Sequence, residues 1–296
     1  MRPREHHGRR CPVSNPIIVY HDKCPDGIAA AWAAWCVFGD AATYVPASYG
    51  DDPPTVTDAT TGEARDVIVA DFSYPREKIM RLHGEARSLL VLDHHASAED
   101  VLRGLDFCVF DQTRSGAGLA WDVIAAPTRG PRPWIINYTE DRDLWRHALP
   151  NSREVNAWLR AQHRTLHGYA VAAATPLEYA IAQGREILAT QRVYIEQTKA
   201  RASLAVLAGF VVPVVNCGRH CASEIVGELA EGYPFAASWE ERDGMIHYEL
   251  RSRAPTAIPV NDIAREFGGG GHKMAAGFSV PRIVHAIAEG AAEVTP

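Results

Sequence analysis

The sequence predicts an α/β protein: a doubly wound, mostly parallel sheet in an N-terminal domain, followed by a smaller α/β domain. Three observations predict it. Short apolar runs, Ile17-Ile18-Val19-Tyr20, Val67-Ile68-Val69-Ala70 and Ser88–Leu92, have strand composition. They alternate with helical stretches, the pattern of strand–helix–strand units. Each run ends on a residue able to do chemistry: His21, Asp71 and Asp93, the last followed by His94 and His95. In open sheets of this kind ligands bind beyond the carboxyl ends of the strands.

Each element has its own warrant. After His21, the turn Asp22-Lys23-Cys24-Pro25-Asp26-Gly27 leads into an Ala- and Trp-rich helix, Ile28–Phe38, which Gly39 stops. A strand is expected at Ala42–Pro46, then a Pro/Asp/Thr loop from Gly50 to Gly62. Pro75 opens a helix through Ile79, Met80 and Leu82. Phe107–Phe110 is a further strand, and Ser115 caps a helix running to Ala126. Trp134–Trp145 holds an acidic knot, Glu140-Asp141-Arg142-Asp143. Helices follow at Arg153–His163 and Pro176–Arg201, the second leading to a new domain. Strand-like runs at Ala205–Val215, Ala236–Trp239 and His247–Arg251 come next, with Ser223–Glu231 helical and Arg242-Asp243-Gly244 a hairpin turn. A last helix, Val260–Phe267, capped by Asn261 or Asp262, runs into Gly268-Gly269-Gly270-Gly271-His272-Lys273. These elements divide the chain into a disordered leader 1–15, a first domain 16–190, a linker helix 191–202 and a second domain 203–296.

Composition narrows the function. The chain has 296 residues, a size suited to about two domains. A formal net charge of −6 rules out a broad basic face for coating duplex DNA and leaves room for a local basic pocket. The six cysteines match no CxxC pair or zinc ribbon, although Cys217 and Cys221 stand four apart; they are read as reduced thiols, which implies a cytoplasmic protein. Residues Met1–Arg10 lack the apolar core of a signal peptide, and no apolar run is long enough to span a membrane.

The strand ends carry the chemistry. His21 with Asp26, Asp71, Asp93-His94-His95 and the later Asp141 fall on one edge of a parallel sheet. Imidazole and carboxylate together suit Mn, Fe or Zn more than Ca. Two divalent ions held there would clamp phosphoryl oxygens and activate water, with a strand-end carboxylate such as Asp71 bridging them. The glycine run lets backbone N–H groups approach an anion. Following a helix rather than preceding one, it is not a Walker loop. His272, Lys273, Arg251 and Arg253 beside it favour phosphate.

In order, HDKCPDG (21–27), VADF (69–72), LDHH (92–95), EDRDLW (140–145) and GGGGHKMAAGF (268–278) resemble the DHH phosphoesterase family with its companion C-terminal domain. The resemblance covers about residues 16–285. It implies manganese, in one or two ions with magnesium or cobalt as substitutes, and a cleft between two domains. It implies that His21, Asp26 and Asp71 hold one ion and that Asp71, His94 and Asp141 hold the other. Asp93 would orient a ligand histidine, and His95 would touch the scissile phosphate or assist the leaving oxygen. The stretch Gly269, Gly270, Gly271 and His272 would grip the nucleotide end of the substrate, and Arg253, by its place before the glycine run, is read as a further substrate-binding residue.

One departure stands out. Many members carry a second Asp two residues after the first, as a ligand of the second ion, and here that place is Ile28. The leading function is a metal-dependent phosphodiesterase acting on short single-stranded nucleic acid or a small nucleotide, with homodimerisation allowed and no membrane partner. The alternatives are a polyphosphate or phosphoanhydride hydrolase, and a nucleotide-binding regulator with a weakened metal site.

Overall fold

A computed structural model describes residues 15–282, with the side chain of His272 excepted. Residues 1–14, nearly all of the leader expected at 1–15, and the last residues, 283–296, lie outside the described part. The chain forms two compact units that divide between Leu188 and Ala189.

The first unit begins β1 (Ile17–His21), α1 (Pro25–Phe38), β2 (Thr43–Ala47), β3 (Asp66–Ala70), α2 (Arg76–Glu85), β4 (Ser88–Asp93), α3 (Ala96–Leu102) and β5 (Cys108–Phe110). The strands form one sheet in the order β2-β1-β3-β4-β5, and every neighbouring pair is parallel. Alternate residues of each strand go to opposite faces, and both faces are covered. Ile18, Ile68 and Leu92 pack with α1, while Ile17, Val19, Val67, Val69 and Val91 pack with Ile79 and Leu82 of α2 and Leu102 of α3. The run Ile28–Ala34 of α1 is buried on every side, as a helix without a polar stripe must be.

The unit continues with α4 (Gly116–Ala120), α5 (Ala126–Arg129), α6 (Trp134–Asp143), α7 (Ser152–Ala161), α8 (Leu166–Ala174) and α9 (Leu177–Lys199), the last running across the division. Ser115 caps α4, its Oγ accepting from Gly118 N–H at 3.2 Å. The helix expected to run unbroken to Ala126 instead widens into a π turn over Trp121–Ala125 before α5. Pro127, without an N–H and with a ring that crowds the preceding turn, is the physical reason. Among the described residues no helix is long and apolar enough to cross a membrane.

The second unit holds β6 (Ser203–Leu207), β7 (Phe210–Asn216), α10 (Ala222–Leu229), β8 (Ala236–Arg242), β9 (Met245–Arg251), α11 (Val260–Glu266), β10 (Gly270–His272) and β11 (Ala275–Pro281). Its sheet runs β10-β11-β9-β8-β7-β6, antiparallel except for the β7–β8 pair. Asp243 and Gly244, both with positive φ, make the expected hairpin turn between β8 and β9. The run 205–215, read from sequence as one strand, is a second hairpin: Ala208 and Gly209 both take positive φ and fold β6 onto β7. Neither Asn261 nor Asp262 caps α11; Pro259 holds the cap position, and Asp262 pairs with Arg265 at 2.7 Å. Part of the glycine run is itself a strand, β10. A Cβ on Gly269 would lie 2.2 Å from the Gly277 carbonyl oxygen, so this close strand approach needs glycine.

Candidate metal centre

Strand ends build the centre. β1 delivers His21, and the turn after it delivers Cys24 at the N-cap of α1 and Asp26 in the first turn of that helix. β3 delivers Asp71, whose φ of 56° is a left-handed conformation that Asp tolerates better than most residues. The Asp71 N–H donates to the Leu92 carbonyl at 2.9 Å, which fixes the turn against β4. β4 delivers Asp93, and His94 and His95 follow it. The strand order reverses between β1 and β3, the switch point at which such sheets bind ligands.

Two glycines make this crowding feasible. A Cβ on Gly27 would lie 2.3 Å from the His21 carbonyl oxygen, and a Cβ on Gly116 would lie 2.3 Å from the Asp71 Cβ. The start of α4 also grips Asp26, whose carboxylate accepts from Gly116 N–H at 2.6 Å and Ala117 N–H at 3.1 Å.

Asp71 is the centre's focus. It is 1% exposed, and neither of its carboxylate oxygens has a hydrogen-bond partner. His94 Nε2 lies 3.2 Å from one oxygen and His21 Nδ1 lies 3.6 Å from the other. His21 Nδ1 is likewise buried without a hydrogen bond. A buried carboxylate left this way is costly unless a cation meets it. Donor atoms gather in three groups, each within 4.8 Å: Asp71 with Asp93, His94 and His95; His21 with Cys24 and Asp71; Asp26 with His94 and Asp143. Asp71 belongs to two of these and His94 to two. Such nitrogen and oxygen donors fit divalent manganese, iron, cobalt or zinc.

The electrostatics agree. Burial, then the charges of Asp71 and Asp143, push the Asp26 carboxyl well above the ordinary carboxylate range. Burial opposes the charge on Asp71 too, but His21 and His94 outweigh it and hold that carboxyl low. Burial and Asp71 raise Asp143. His94 is raised: burial works against its charge, and Asp71 and Asp143 overcome that. With no cation, these acids repel one another; a divalent ion would relieve the repulsion.

The sequence-predicted residues fall as follows. His21, Asp26, Asp71 and His94 come together, with Asp26 grouped beside His94 rather than beside His21. Asp93 orients His95, not His94: its Oδ1 is 2.7 Å from His95 Nδ1 and also accepts from the His94 and His95 N–H groups, while Ser73 Oγ donates to Oδ2. Asp141 is not brought to the cluster. Its carboxylate accepts from Ala148 N–H, Leu149 N–H and Ser152 Oγ, anchoring the loop after α6. Burial works against ionisation there, but those donors win and lower its pKa. Asp143 is the α6 carboxylate that faces His94, at 3.6 Å. Ile28 is 4% exposed and belongs to the apolar core. Cys24, read from sequence as one of six reduced thiols, stands with His21 and Asp71.

The second unit has a pocket of about 580 Å³. Gly269, Gly270 and Gly271 line it, with Arg219, Glu240, Glu249 and Arg251. Arg251 and Arg219 are therefore basic residues at the pocket beside the glycine run, whereas Arg253 is exposed and outside its lining. The backbone of His272 closes β10.

Comparison with known proteins bears on both units. Residues 210–294 match the DHHA1 domain. Over 284 residues the chain is 25% identical to an uncharacterised protein, R106, of Acanthamoeba polyphaga mimivirus, a match covering 89% of this chain and 67% of that one. Among solved structures it is similar to PggH, a pGpG-specific phosphodiesterase from Vibrio cholerae, with a TM-score of 0.53 and 11% identity, covering 90% of this chain and 94% of the other. It is similar also to RecJ from Thermus thermophilus in complex with Mn2+, with a TM-score of 0.50 and 15% identity, covering 90% of this chain and 50% of the other. Residues 210–294 thus match a DHHA1 domain, and the fold of the whole chain is similar to that of PggH and RecJ.

Proposed function

We propose that the chain is a divalent-metal-dependent phosphoesterase, a phosphodiesterase acting on short single-stranded nucleic acid or small nucleotides. The observation that carries this is Asp71: a fully buried carboxylate with no hydrogen-bond partner, shared by two donor groups at the strand ends. His21 and Asp71 would hold one ion, and Asp71, His94, Asp26 and Asp143 the other. When bound, the metal supplies charge that polarises a phosphoryl oxygen and activates water. For the ion among Asp71, His94, Asp26 and Asp143 this reading takes manganese, with magnesium or cobalt as substitutes; the manganese in RecJ supports it.

The chain's own groups do the rest. Asp93 accepts from His95 Nδ1 and fixes the ring, leaving Nε2 for the substrate. The hydrogen bond to Asp93 is the main reason the His95 imidazolium is favoured, and as imidazolium it donates to a phosphoryl or leaving oxygen. In the second unit Arg251 and the Gly270 backbone suit a phosphate or nucleotide end. PggH, a phosphodiesterase specific for the dinucleotide pGpG, supports this substrate class. The free thiols Cys24, Cys36, Cys108, Cys217 and Cys221 fit a reducing, cytoplasmic setting.

A manganese-supplemented digest tests it, with end-labelled dinucleotides, longer oligomers, cyclic dinucleotides and polyphosphate as substrates. Hydrolysis of the short nucleotides is expected, lost together with bound metal in Asp71→Asn. Normal turnover and full manganese occupancy in that variant would overturn the assignment, and cleavage of polyphosphate alone would overturn the substrate class.

A further inference from the structure

We propose that Cys24 is a thiolate ligand of the ion held by His21 and Asp71, and that it biases this position toward zinc, cobalt or ferrous iron over manganese. The inference rests on the metal-centre reading above and goes further in naming a ligand and a metal preference. Cys24 Sγ, a ring nitrogen of His21 and a carboxylate oxygen of Asp71 lie within 4.8 Å of one another. Two of those partners independently call for a cation: both Asp71 oxygens and His21 Nδ1 are buried without hydrogen bonds. Without Cys24, His21 and Asp71 give that position only two donors, because Asp26 groups with His94 and Asp143 instead.

Local structure holds the thiol in place. Cys24 is the N-cap of α1, in extended conformation, and Pro25 follows at the first helical position. The Ile28 N–H donates to the Cys24 carbonyl at 3.1 Å, so the residue is bound to the first turn. A free buried cysteine ordinarily acts as a small apolar side chain. Among the described residues, no other cysteine belongs to such a donor group. Binding exchanges the thiol proton for the ion, the proton passes to solvent, and no electrons are transferred. A soft sulfur donor favours zinc, cobalt and ferrous iron, whereas manganese prefers oxygen.

The test is a cobalt titration of the full chain followed by absorbance, with Cys24→Ser and Asp71→Asn alongside. The expected result is a thiolate-to-cobalt charge-transfer band in the near ultraviolet, absent from Cys24→Ser while the visible d–d bands remain. The ratio of zinc to manganese affinity should fall at least about tenfold in Cys24→Ser, or roughly 1.4 kcal/mol. Visible bands with no charge-transfer band, or a band that survives in Cys24→Ser, would overturn the role of Cys24 and leave the metal centre standing. No cobalt spectrum at all, the same in Asp71→Asn, would overturn both. Should Cys24→Ser fail to fold, alkylation of the unmutated chain decides: zinc is expected to protect Cys24 from iodoacetamide, and equal labelling with and without zinc overturns the inference.

Discussion

Gly116 and Asp71 are packed so closely that a Cβ on the glycine would lie 2.3 Å from the Asp71 Cβ and 2.7 Å from its Oδ1. The same glycine donates its N–H to Asp26. Gly116→Ala should therefore displace both carboxylates at once. The expected outcome is a loss of metal affinity of at least about tenfold, with a stability cost of about 1–3 kcal/mol from overpacking. Calorimetric metal titration and chemical denaturation read the two effects. Unchanged metal affinity would mean that the Asp71 turn can yield without loss of ligand geometry.

Asp141 and Asp143 should separate by phenotype. Asp141 accepts three hydrogen bonds from its own loop, whereas Asp143 is among the donors around His94. Asp141→Asn should lower stability by about 1–3 kcal/mol, the cost of disturbing a buried bonded carboxylate, and spare metal binding. Asp143→Asn should do the reverse, with turnover down about a hundredfold or more and a melting temperature little changed. Thermal melts and metal-dependent phosphodiester hydrolysis on both variants check this; metal loss in Asp141→Asn alone would return the ligand role to Asp141.

Much of this arrangement is legible in the sequence because β-branched runs, strand ends and parallel topology follow from local chemistry. The runs ending at His21, Asp71 and Asp93 are strands of one sheet, in an order that brings their ends to one edge. Pattern could not choose between Asp141 and Asp143. Two residues apart on a helix they point about 200° away from each other, and only the loop that bonds Asp141 decides which one turns to His94. The β6–β7 hairpin was hidden because Ala208-Gly209 is a weak turn signal inside an apolar run. Cys24 carries no spacing signal either, since its neighbours His21 and Asp71 come from two different strands.

A salt-bridged frame outside the centre gives the acid response. Asp122 accepts from Arg132 Nε at 2.7 Å and from Arg114 Nη1 at 2.9 Å, and Arg132 also pairs with Glu140, which accepts from the Ser115 N–H. Burial works against the Asp122 charge, but Arg132 and Arg114 outweigh it and hold the carboxyl below its ordinary value. A lowered folded pKa means stability that is present above about pH 4 and lost as pH falls through the folded value. Asp122→Asn should cost about 1 kcal/mol at neutral pH, after allowance for partial exposure, and should flatten stability loss below about pH 4. Denaturation midpoints from about pH 2.5 to about pH 7 measure it, and parallel curves for the two proteins would remove Asp122 from the acid response.

The glycines of the second unit have separable duties. Gly271 has φ of 140°, and a Cβ there would lie 2.6 Å from the Ala275 carbonyl oxygen; Gly270 has open space around its Cα and lines the pocket. Gly271→Ala should destabilise this unit by about 1–3 kcal/mol. Gly270→Ala should fold normally and raise KM for a short nucleotide, with kcat nearly unchanged. Steady-state kinetics beside thermal melts tell them apart, and an unaffected KM in Gly270→Ala would detach the glycine run from substrate.

Ile28 decides whether the centre can be completed from the place where many members of the DHH family that the chain resembles carry a carboxylate. Its side chain is 4% exposed and packs in the apolar core, so an aspartate introduced there meets hydrocarbon. Removing the isoleucine forfeits about 2–5 kcal/mol of packing, and an unpaired buried carboxylate costs more unless it stays protonated. A cation at the centre could offset this only if the new carboxylate reached it from within the apolar core. Ile28→Asp is therefore expected to lose at least about 3 kcal/mol, with no gain in affinity for a second metal ion, while Ile28→Val loses about 1 kcal/mol and binds metal normally. Urea denaturation with calorimetric manganese titration on all three proteins measures both quantities. Tighter binding of a second ion at undiminished stability would show that position 28 does reach the centre, and that its isoleucine leaves a ligand place unfilled.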